Sequence, residues 1–419
     1  MDEHCIASRI ITEIMWQWLN HKDEEIRRQA LSDLFTLSLV NSRYRRQSVP
    51  CIFRHIVFEA KDKDKPWVRG PQALSVLDMI RANWWHYTRS VVFKCDACAF
   101  DDTHTPTDIS LRRSLGNPEL GHIFRFLDAA PALHTVEIDL AQSEETGWQE
   151  LVPWKYFDLN CSIIEAFIRD WPKTNKPTQL VIRYIEAFPF NHLRRIESLH
   201  LDTSTLHWNP IVFNSPLASK TLKLYCSPQA LRFYKNLDMH FNFLTSLYIS
   251  VADEGDFKDT YWLMARVSNT VERITLSFRY YASLKPFPKM KNYDLFTFSN
   301  LNYLLIEFQA NNVGPAYRFL HRFRHGANNL QTLHLVADGT TYPSLGSAIY
   351  INKTDWSFFE ALQMNPPIFP ALKQINLELA RNADLRGQAT LTLDDFESNL
   401  FDLRNDRGID LTFRHYNYH

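Results

Sequence analysis

The sequence predicts an α/β chain: a small N-terminal helical domain over residues 5–60, a linker with the first irregular repeats over 61–118, and a solenoid of strand-and-helix units over 119–419. Three observations predict it. Apolar residues near the N-terminus recur at helical spacing. From about residue 119 onward one apolar-x-x-apolar-x-apolar strand pattern returns repeatedly. Glycine is scarce, with 11 in 419 residues, under half the usual share. The scarcity bears on function, because phosphate-cradling loops rely on residues without Cβ to bring backbone N–H groups around an anion. No Gly-x-Gly-x-x-Gly occurs, and Gly116 to Gly121 runs on into His122 and Ile123, where a P-loop needs Lys and Ser or Thr.

In chain order, Ile10, Ile14 and Trp18 lie on one helical line with Ile11, Met15 and Leu19 beside it, an amphipathic helix within residues 5–20. A polar stretch, His21 to Gln29, separates it from a second apolar segment carrying Leu34, Leu37, Leu39 and Val40, with Ser32 as its N-cap. Arg43, Arg45, Arg46 and Arg54 follow with no acid between Asp33 and Glu59, and His55 to Phe58 reads as a short strand. Lys61 to Pro71 is a charged, proline-bounded linker.

The repeated strand reads Leu133-x-x-Val136-x-Ile138, Ile196-x-x-Leu199-x-Leu201, Leu244-x-x-Leu247-x-Ile249, Val271-x-x-Ile274-x-Leu276, Leu301-x-x-Leu304-x-Ile306, Leu330-x-x-Leu333-x-Leu335 and Leu372-x-x-Ile375-x-Leu377. Leu180-x-Ile182 and Leu222-x-Leu224 are partial copies. From Leu180 to Leu333 neighbouring strands recur roughly every 19 to 30 residues. Between them, Glu119 to Ala129, Ser162 to Trp171, Phe257 to Val267, Ala316 to Phe323 and Asp355 to Met364 place apolar residues on one helical face, the last with Thr354 as N-cap. Such units cannot bury their apolar sides alone, and stacking them makes one continuous core with the strands on a concave face.

The N-terminal segment resembles an F-box. The family's Leu-Pro-x-Glu-Ile/Leu start corresponds to Ile10-Ile11-Thr12-Glu13-Ile14. Its Asp-Leu helix running into Leu-Ser-Leu-Val and an aromatic corresponds to Asp33-Leu34-Phe35-Thr36-Leu37-Ser38-Leu39-Val40 and on to Tyr44. Ile52-Phe53-Arg54-His55-Ile56 is similar to the ending of many fungal F-box proteins. Ile11 stands where the family has proline and Tyr44 where it has tryptophan. The resemblance implies docking to a Skp-family adaptor of a cullin-RING ubiquitin ligase. Ile10, Ile11, Ile14, Leu34, Leu37, Leu39, Val40 and Tyr44 would divide between the small domain's core and the adaptor contact. The remainder resembles irregular leucine-rich repeats, so the whole chain is similar to a fungal-type F-box/leucine-rich-repeat substrate adaptor. The Asn or Cys that this repeat carries three residues beyond each strand is replaced by Ala141, Ser204, Ala252, Arg279, Gln309, Asp338 and Ala380. The turns must therefore satisfy their backbone groups in another way.

Catalytic and metal motifs are sparse. Cys95-x-x-Cys98 with His104 offers one close pair where a structural zinc site takes two, and buried thiols are the better reading. No Gly-x-Ser-x-Gly elbow and no His-Glu-x-x-His helix occurs, no cofactor is implied, and no catalytic residue stands out. Lys+Arg 46 against Asp+Glu 47 leaves a net charge of -1, which supplies no field for nucleic acid or an anionic membrane. The four arginines read as the solvated face that follows the preceding helix. No apolar run reaches membrane-spanning length, the start is polar and acidic, and six cysteines are too few for a disulfide scaffold. A cytoplasmic or nuclear protein is expected, with the sequons at Asn160 and Asn352 unused.

Recognition of a protein is the better-supported expectation. Within each strand, the residue between the last two apolar positions faces away from the core. That places Glu137, His200, Lys223, Tyr248, Thr275, Leu305, His334 and Asn376 in one row, flanked by Asp139, Asp202, Tyr225, Ser250, Ser277, Glu307 and Glu378. A row mixed in sign and size suits a protein target better than a phosphate backbone. Glu137, His200, Lys223, Tyr248, Glu307, His334 and Asn376 are the candidate target contacts.

Overall fold

The computed structural model describes residues 11, 24–40, 42–60, 68–69, 84–95, 112–140, 151–173, 178–207, 217–236, 240–252, 254–278, 297–309, 316, 319–320, 327–338, 369–381 and 408–417. The chain divides into unit 1, Met1–Ser198 with Thr203–Val212, and unit 2, Leu199–Asp202 with Phe213–His419. Both are mixed α/β with parallel strands.

In unit 1 the polar stretch expected to separate two helices is itself helical from Glu24 onward, and Ser32 lies inside α1 (Glu24–Val40) rather than at its start. Glu, Arg and Gln form helices readily. Among the described side chains of α1 the buried ones are Ala30, Leu34 and Ser38, four residues apart. Two of the three are small, so a search for large apolar side chains passes over this face. The arginine-bearing segment that follows is also helical, as α2 (Ser42–Ile52). It turns Ser48 and Ile52 inward and leaves Arg45 and Arg46 exposed. Pro50 falls in its last turn.

The first strand, β1 (His55–Ala60), lies within the segment assigned to the helical domain, yet it belongs to a sheet. It pairs antiparallel with β2 (Val68–Arg69) and parallel with β3 (Ser90–Cys95), which continues to β4 (Thr135–Asp139) and β5 (Gln179–Arg183). The motif misses β3 because Val91, Val92 and Phe93 are all buried, so neither alternation nor the spaced pattern survives. Val152–Pro153 pairs with Ile185–Glu186, and Phe188–Pro189 with Leu206–His207, as two-residue ribbons.

Two helices cover one side of this sheet. Helix α3 (Pro118–Asp128) starts where Asn117 Oδ1 accepts from the Glu119 N–H at 2.9 Å and proline takes the first helical position. Helix α4 (Asn160–Asp170) packs beside it through Ile164, Phe167 and Ile168. A run of rings joins sheet to helices: Phe58 to Phe93 at 5.4 Å, Phe93 to Phe124 at 4.6 Å, Phe124 to Phe167 at 5.3 Å and Phe167 to Trp171 at 5.5 Å. This run absorbs part of the 14% aromatic content. Trp171 also donates its indole N–H to the Leu133 carbonyl at 3.2 Å, which satisfies the polar end of a buried ring.

Unit 2 carries β6 (Ser198–Asp202, all but its first residue), β7 (Thr221–Tyr225), β8 (Ser246–Ser250), β9 (Arg273–Phe278), β10 (Tyr303–Gln309), β11 (Thr332–Asp338), β12 (Gln374–Arg381) and β13 (Asp410–Asn417), adjacent in that order. From β7 to β13 every pairing is parallel. Helices α5 (Pro228–Asn236) and α6 (Glu254–Val267) lie in this unit, and Ala316, Phe319 and Leu320 are helical and buried. The segment Asp355 to Met364, its cap Thr354, and all of residues 5–20 but Ile11 lie outside the described residues. The sequence motif misses β13 because register places Gly408, at φ +64, where the other strands have their first large apolar residue.

Beyond two of the strands a serine stands in the ladder position and bonds the turn: Ser204 Oγ donates to the Ile182 carbonyl at 3.3 Å, and Ser227 Oγ to the Leu201 carbonyl at 3.2 Å. At the opposite end of the strands the bonding is by backbone. At seven of the strand heads the carbonyl just before the strand accepts the two N–H groups that lead into the next, while His134 O, Thr178 O and Lys373 O each take one. Arg54 O serves Arg89 and Ser90, Arg89 O serves His134 and Thr135, Lys220 O serves Thr245 and Ser246, and Thr245 O serves Glu272 and Arg273. Glu272 O, Asn302 O and Gln331 O repeat the arrangement, with N to O distances for these seven carbonyls between 2.8 and 3.2 Å. Each uses both lone pairs of one carbonyl.

The tightest helix contact supplies a stability test. A Cβ at Gly121 would stand 2.6 Å from Asn160 Oδ1 and 2.8 Å from Ile163 Cδ1. The Asn160 amide cannot swing aside without losing its donations to the Leu115 carbonyl at 2.7 Å and the Asn117 carbonyl at 2.9 Å. Gly121→Ala is expected to lower the unfolding free energy by about 1–3 kcal/mol, read from urea denaturation.

Candidate recognition surface

Because strands β7 to β13 are in register, alternate side chains align in straight rows on the sheet face away from the leucines. One row runs Lys223, Tyr248, Thr275, Leu305, His334, Asn376, Thr412. The row two residues earlier runs Ser246, Arg273, Tyr303, Thr332, Gln374, Asp410, and the row two residues later Ser250, Ser277, Glu307, Val336, Glu378, Arg414. Five of the seven candidate target contacts, Lys223, Tyr248, Glu307, His334 and Asn376, thus share one face of unit 2. His200 sits half-exposed on β6 in the same unit.

The face carries rings and charges that hold one another. Tyr248 lies 6.0 Å from Tyr225 and donates across β9 to Glu307 Oε2 at 3.4 Å, a reach allowed by the small Thr275 and Ser277 between them. The Arg273 guanidinium stands 4.6 Å from the Tyr303 ring centre. Tyr303 and His334 Nδ1 are 2.8 Å apart, and His334 Nε2 lies 3.3 Å from Glu378 Oε1. A neutral imidazole with its proton on Nε2 accepts from the tyrosine and faces the carboxylate, which makes this tautomer the consistent one. Burial holds the His334 pKa below its ordinary value despite the attraction of Glu378. Burial also pushes the Tyr303 phenol up.

Beside this chain of contacts His334, Gln374, Asn376, Leu377, Glu378, Thr412 and Arg414 line a pocket of about 110 Å³. Pockets that enclose drug-sized ligands run to about 300–1,000 Å³. The space here therefore fits a side chain of a docked polypeptide rather than a whole small molecule. Gln374 Nε2 donates to Asn376 Oδ1 at 3.0 Å, which leaves the Asn376 amide hydrogens available as donors.

Unit 1 treats the corresponding face differently. Glu137 pairs with Val92 on one side and Val181 on the other, and both valines are buried. Glu137 is itself engaged at 2.9 Å by Arg183, and burial outweighs that cation in pushing its carboxyl pKa up. Glu137 is therefore half-buried and salt-bridged, unlike the open Lys223.

The helical pair sorts the other set of candidates. Ile11 and Leu34 are buried and belong to the core, Leu37 and Tyr44 are half-exposed, and Leu39 and Val40 stand 61% and 63% exposed at the C-terminal end of α1. Ile10 and Ile14 lie outside the described residues. Of the metal-like pair, Cys95 is buried in β3 while Cys98 and His104 lie outside the described residues, and no cluster of metal-ligating residues occurs among the described ones. Burial pushes the Cys161 and Cys226 thiols up to about 11, so neither is poised as a thiolate. Asn160, the first sequon residue, is buried with its amide fully used between two carbonyls.

Tyr303, Arg273, Gln374, Thr412 and Arg414 escaped the sequence reading. Tyr303 and Arg414 occupy the flanking rows, two residues from the marked position, and the alternation of the strands was signal enough to find Tyr303. Arg414 sits on the strand whose motif glycine interrupts. The lowered His334 pKa has a consequence for stability. The folded state favours neutral imidazole, so its contribution is present above the unfolded value near 6.5 and is lost as pH falls through the folded value. Stability is expected to drop between about pH 7 and pH 5, and His334→Gln to flatten that drop in thermal melts taken across the range. No helix among the described residues is long and apolar enough to cross a membrane. No family model matches this chain, and no curated protein matches it in sequence.

Proposed function

We propose that this chain is a substrate-recognition subunit of an SCF-type cullin-RING ubiquitin ligase, built as an F-box-like domain followed by an irregular leucine-rich-repeat solenoid. The helical pair docks a Skp-family adaptor, and the open sheet face of unit 2 holds the protein to be modified. Ubiquitin transfer belongs to other subunits, so the chain needs no catalytic group of its own.

The observation that carries the reading is the exposure of Leu39 and Val40 at the end of the helix that resembles the F-box. Two adjacent branched apolar side chains left in water at a helix end suit a helix-mediated docking contact. The aligned rows on unit 2 support the second half. They offer aromatic anchors, Tyr248 and Tyr303, among charges of both signs, the composition of a protein-binding patch rather than of a nucleic-acid groove. The rival is a repeat-based interaction scaffold with no ligase role, and it shares the second half only.

The two halves are separable by experiment. Leu39→Asp with Val40→Asp is expected to abolish co-purification with a Skp-family adaptor while leaving the melting temperature nearly unchanged, because both side chains are exposed. Undiminished capture of the adaptor by this variant would remove the proposed docking contact. A wild-type chain that binds no adaptor, yet retains a protein partner, would establish the scaffold reading. For the sheet face, Tyr248→Ala is expected to weaken retention of a bound target about tenfold, measured by titration, where Asp128→Ala on α3 leaves it unchanged.

A further inference from the structure

Unit 1 closes one side of its sheet with β2, a strand of only two residues that runs antiparallel to its neighbour. Short edge strands of this kind discourage further pairing. Unit 2 does the opposite with β13, eight residues long and, among the described residues, paired on one side only. In a parallel ladder the N–H and C=O groups of alternate residues point to opposite sides. The Asp410 N–H goes to Lys373 O on the β12 side, so residues 410, 412, 414 and 416 bond inward, while Leu411, Phe413 and His415 direct their backbone groups outward. Among the described residues no hydrogen bond reaches that outer side.

The side chains along this edge have a symmetry of their own. Asp410, Thr412 and Arg414 share one face, with the opposite charges equally spaced about the threonine. Asp410 and Arg414 are exposed, and neither side chain makes an ion pair or hydrogen bond among the described residues. Laid antiparallel against a second copy with Thr412 opposite Thr412, the strand meets its own requirements. Leu411 falls opposite Phe413 of the second copy, and these are the residues whose backbone groups point outward, so they form the hydrogen-bonded pairs. Asp410 falls opposite Arg414 of the second copy in a pair without backbone hydrogen bonds, where facing side chains come closest. The two-fold operation produces both ion pairs at once.

We propose that β13 is a homodimerisation edge, pairing antiparallel with β13 of a second copy about Thr412. The axis stands perpendicular to the sheet, so the exposed rows of both copies face the same way and a dimer presents two recognition faces side by side. A target with two copies of the recognised element would then be held bivalently. The proposal stands apart from the ligase reading, since it needs neither the adaptor nor a target.

The charge pattern gives a test that does not depend on one variant. Sedimentation velocity of the full chain over a range of concentrations is expected to show a monomer–dimer equilibrium. Asp410→Arg and Arg414→Asp should each weaken self-association about tenfold or more, because each sets two like-charged pairs across the edge. Mixing the two single variants should restore dimerisation, since one chain then presents two cations and the other two anions. The double variant Asp410→Arg with Arg414→Asp should also dimerise. Circular dichroism of both singles should match the wild type, as both side chains are exposed. A wild-type chain that stays monomeric, single variants that dimerise as well as the wild type, or a mixture no tighter than its parts would each overturn the proposal.

Discussion

The sheets depend on carbonyls shared at the heads of most strands. At those heads the preceding C=O takes the two N–H groups entering the next strand, and the same geometry recurs from Arg54 to Gln331 within each unit. Where it occurs, this contact sets the start of a strand relative to its neighbour, and in a parallel sheet the start fixes the register along its whole length. A slip of one residue would carry Lys223, Tyr248 and His334 into the core and bring their leucine neighbours to the surface. Straight rows of polar side chains are thus a consequence of backbone bonding at the strand heads. Side-chain amides add to it in places: Asn300 donates to the Asn269 carbonyl, and Asn329 to the Ser299 carbonyl.

That arrangement explains what could be read in the sequence. The apolar-x-x-apolar-x-apolar strands were legible because the buried residues of a strand keep a period of two and leucine, isoleucine and valine dominate them. The outward row followed from the same alternation. Helices with large apolar faces, α3, α4 and α6, were legible for a parallel reason. What escaped were the first two turns of α1, with Ala30 inward, the helical form of α2, with Ser48 inward, helix α5, and β13 with Gly408 ahead of it. Burial on both faces hid β3. The distribution of charge partners was not legible either. That Glu137 is tied to Arg183 while Arg414 forms no ion pair among the described residues depends on which side chains meet, and linear spacing does not hold that information.

The two halves of the proposed function draw on different physics. At the helical pair the feature is uncompensated apolar surface, Leu39 and Val40, beside a buried line that keeps the helix anchored. At the sheet face the feature is organisation: tyrosines are held by Glu307, Arg273 and His334 before any partner arrives. Side chains already fixed by neighbours lose less freedom on binding. The half-buried His334, its pKa held down, lies at the centre of this arrangement, between a phenol and a carboxylate.

The shared carbonyls have one further consequence, which concerns how such a chain changes over evolutionary time. A carbonyl is common to every residue type, and the positions that supply it here are occupied by Arg54, Arg89, Lys220, Thr245, Glu272, Asn302 and Gln331, with no common side-chain chemistry. Substitution at these positions leaves the bond in place. An asparagine ladder has to keep its asparagines; a strand head bonded to a main-chain acceptor places no such demand on the residue that supplies the carbonyl. Lineages of such proteins can therefore drift far apart in sequence while the strand geometry persists, and the solvent-facing rows remain open to change with each new partner.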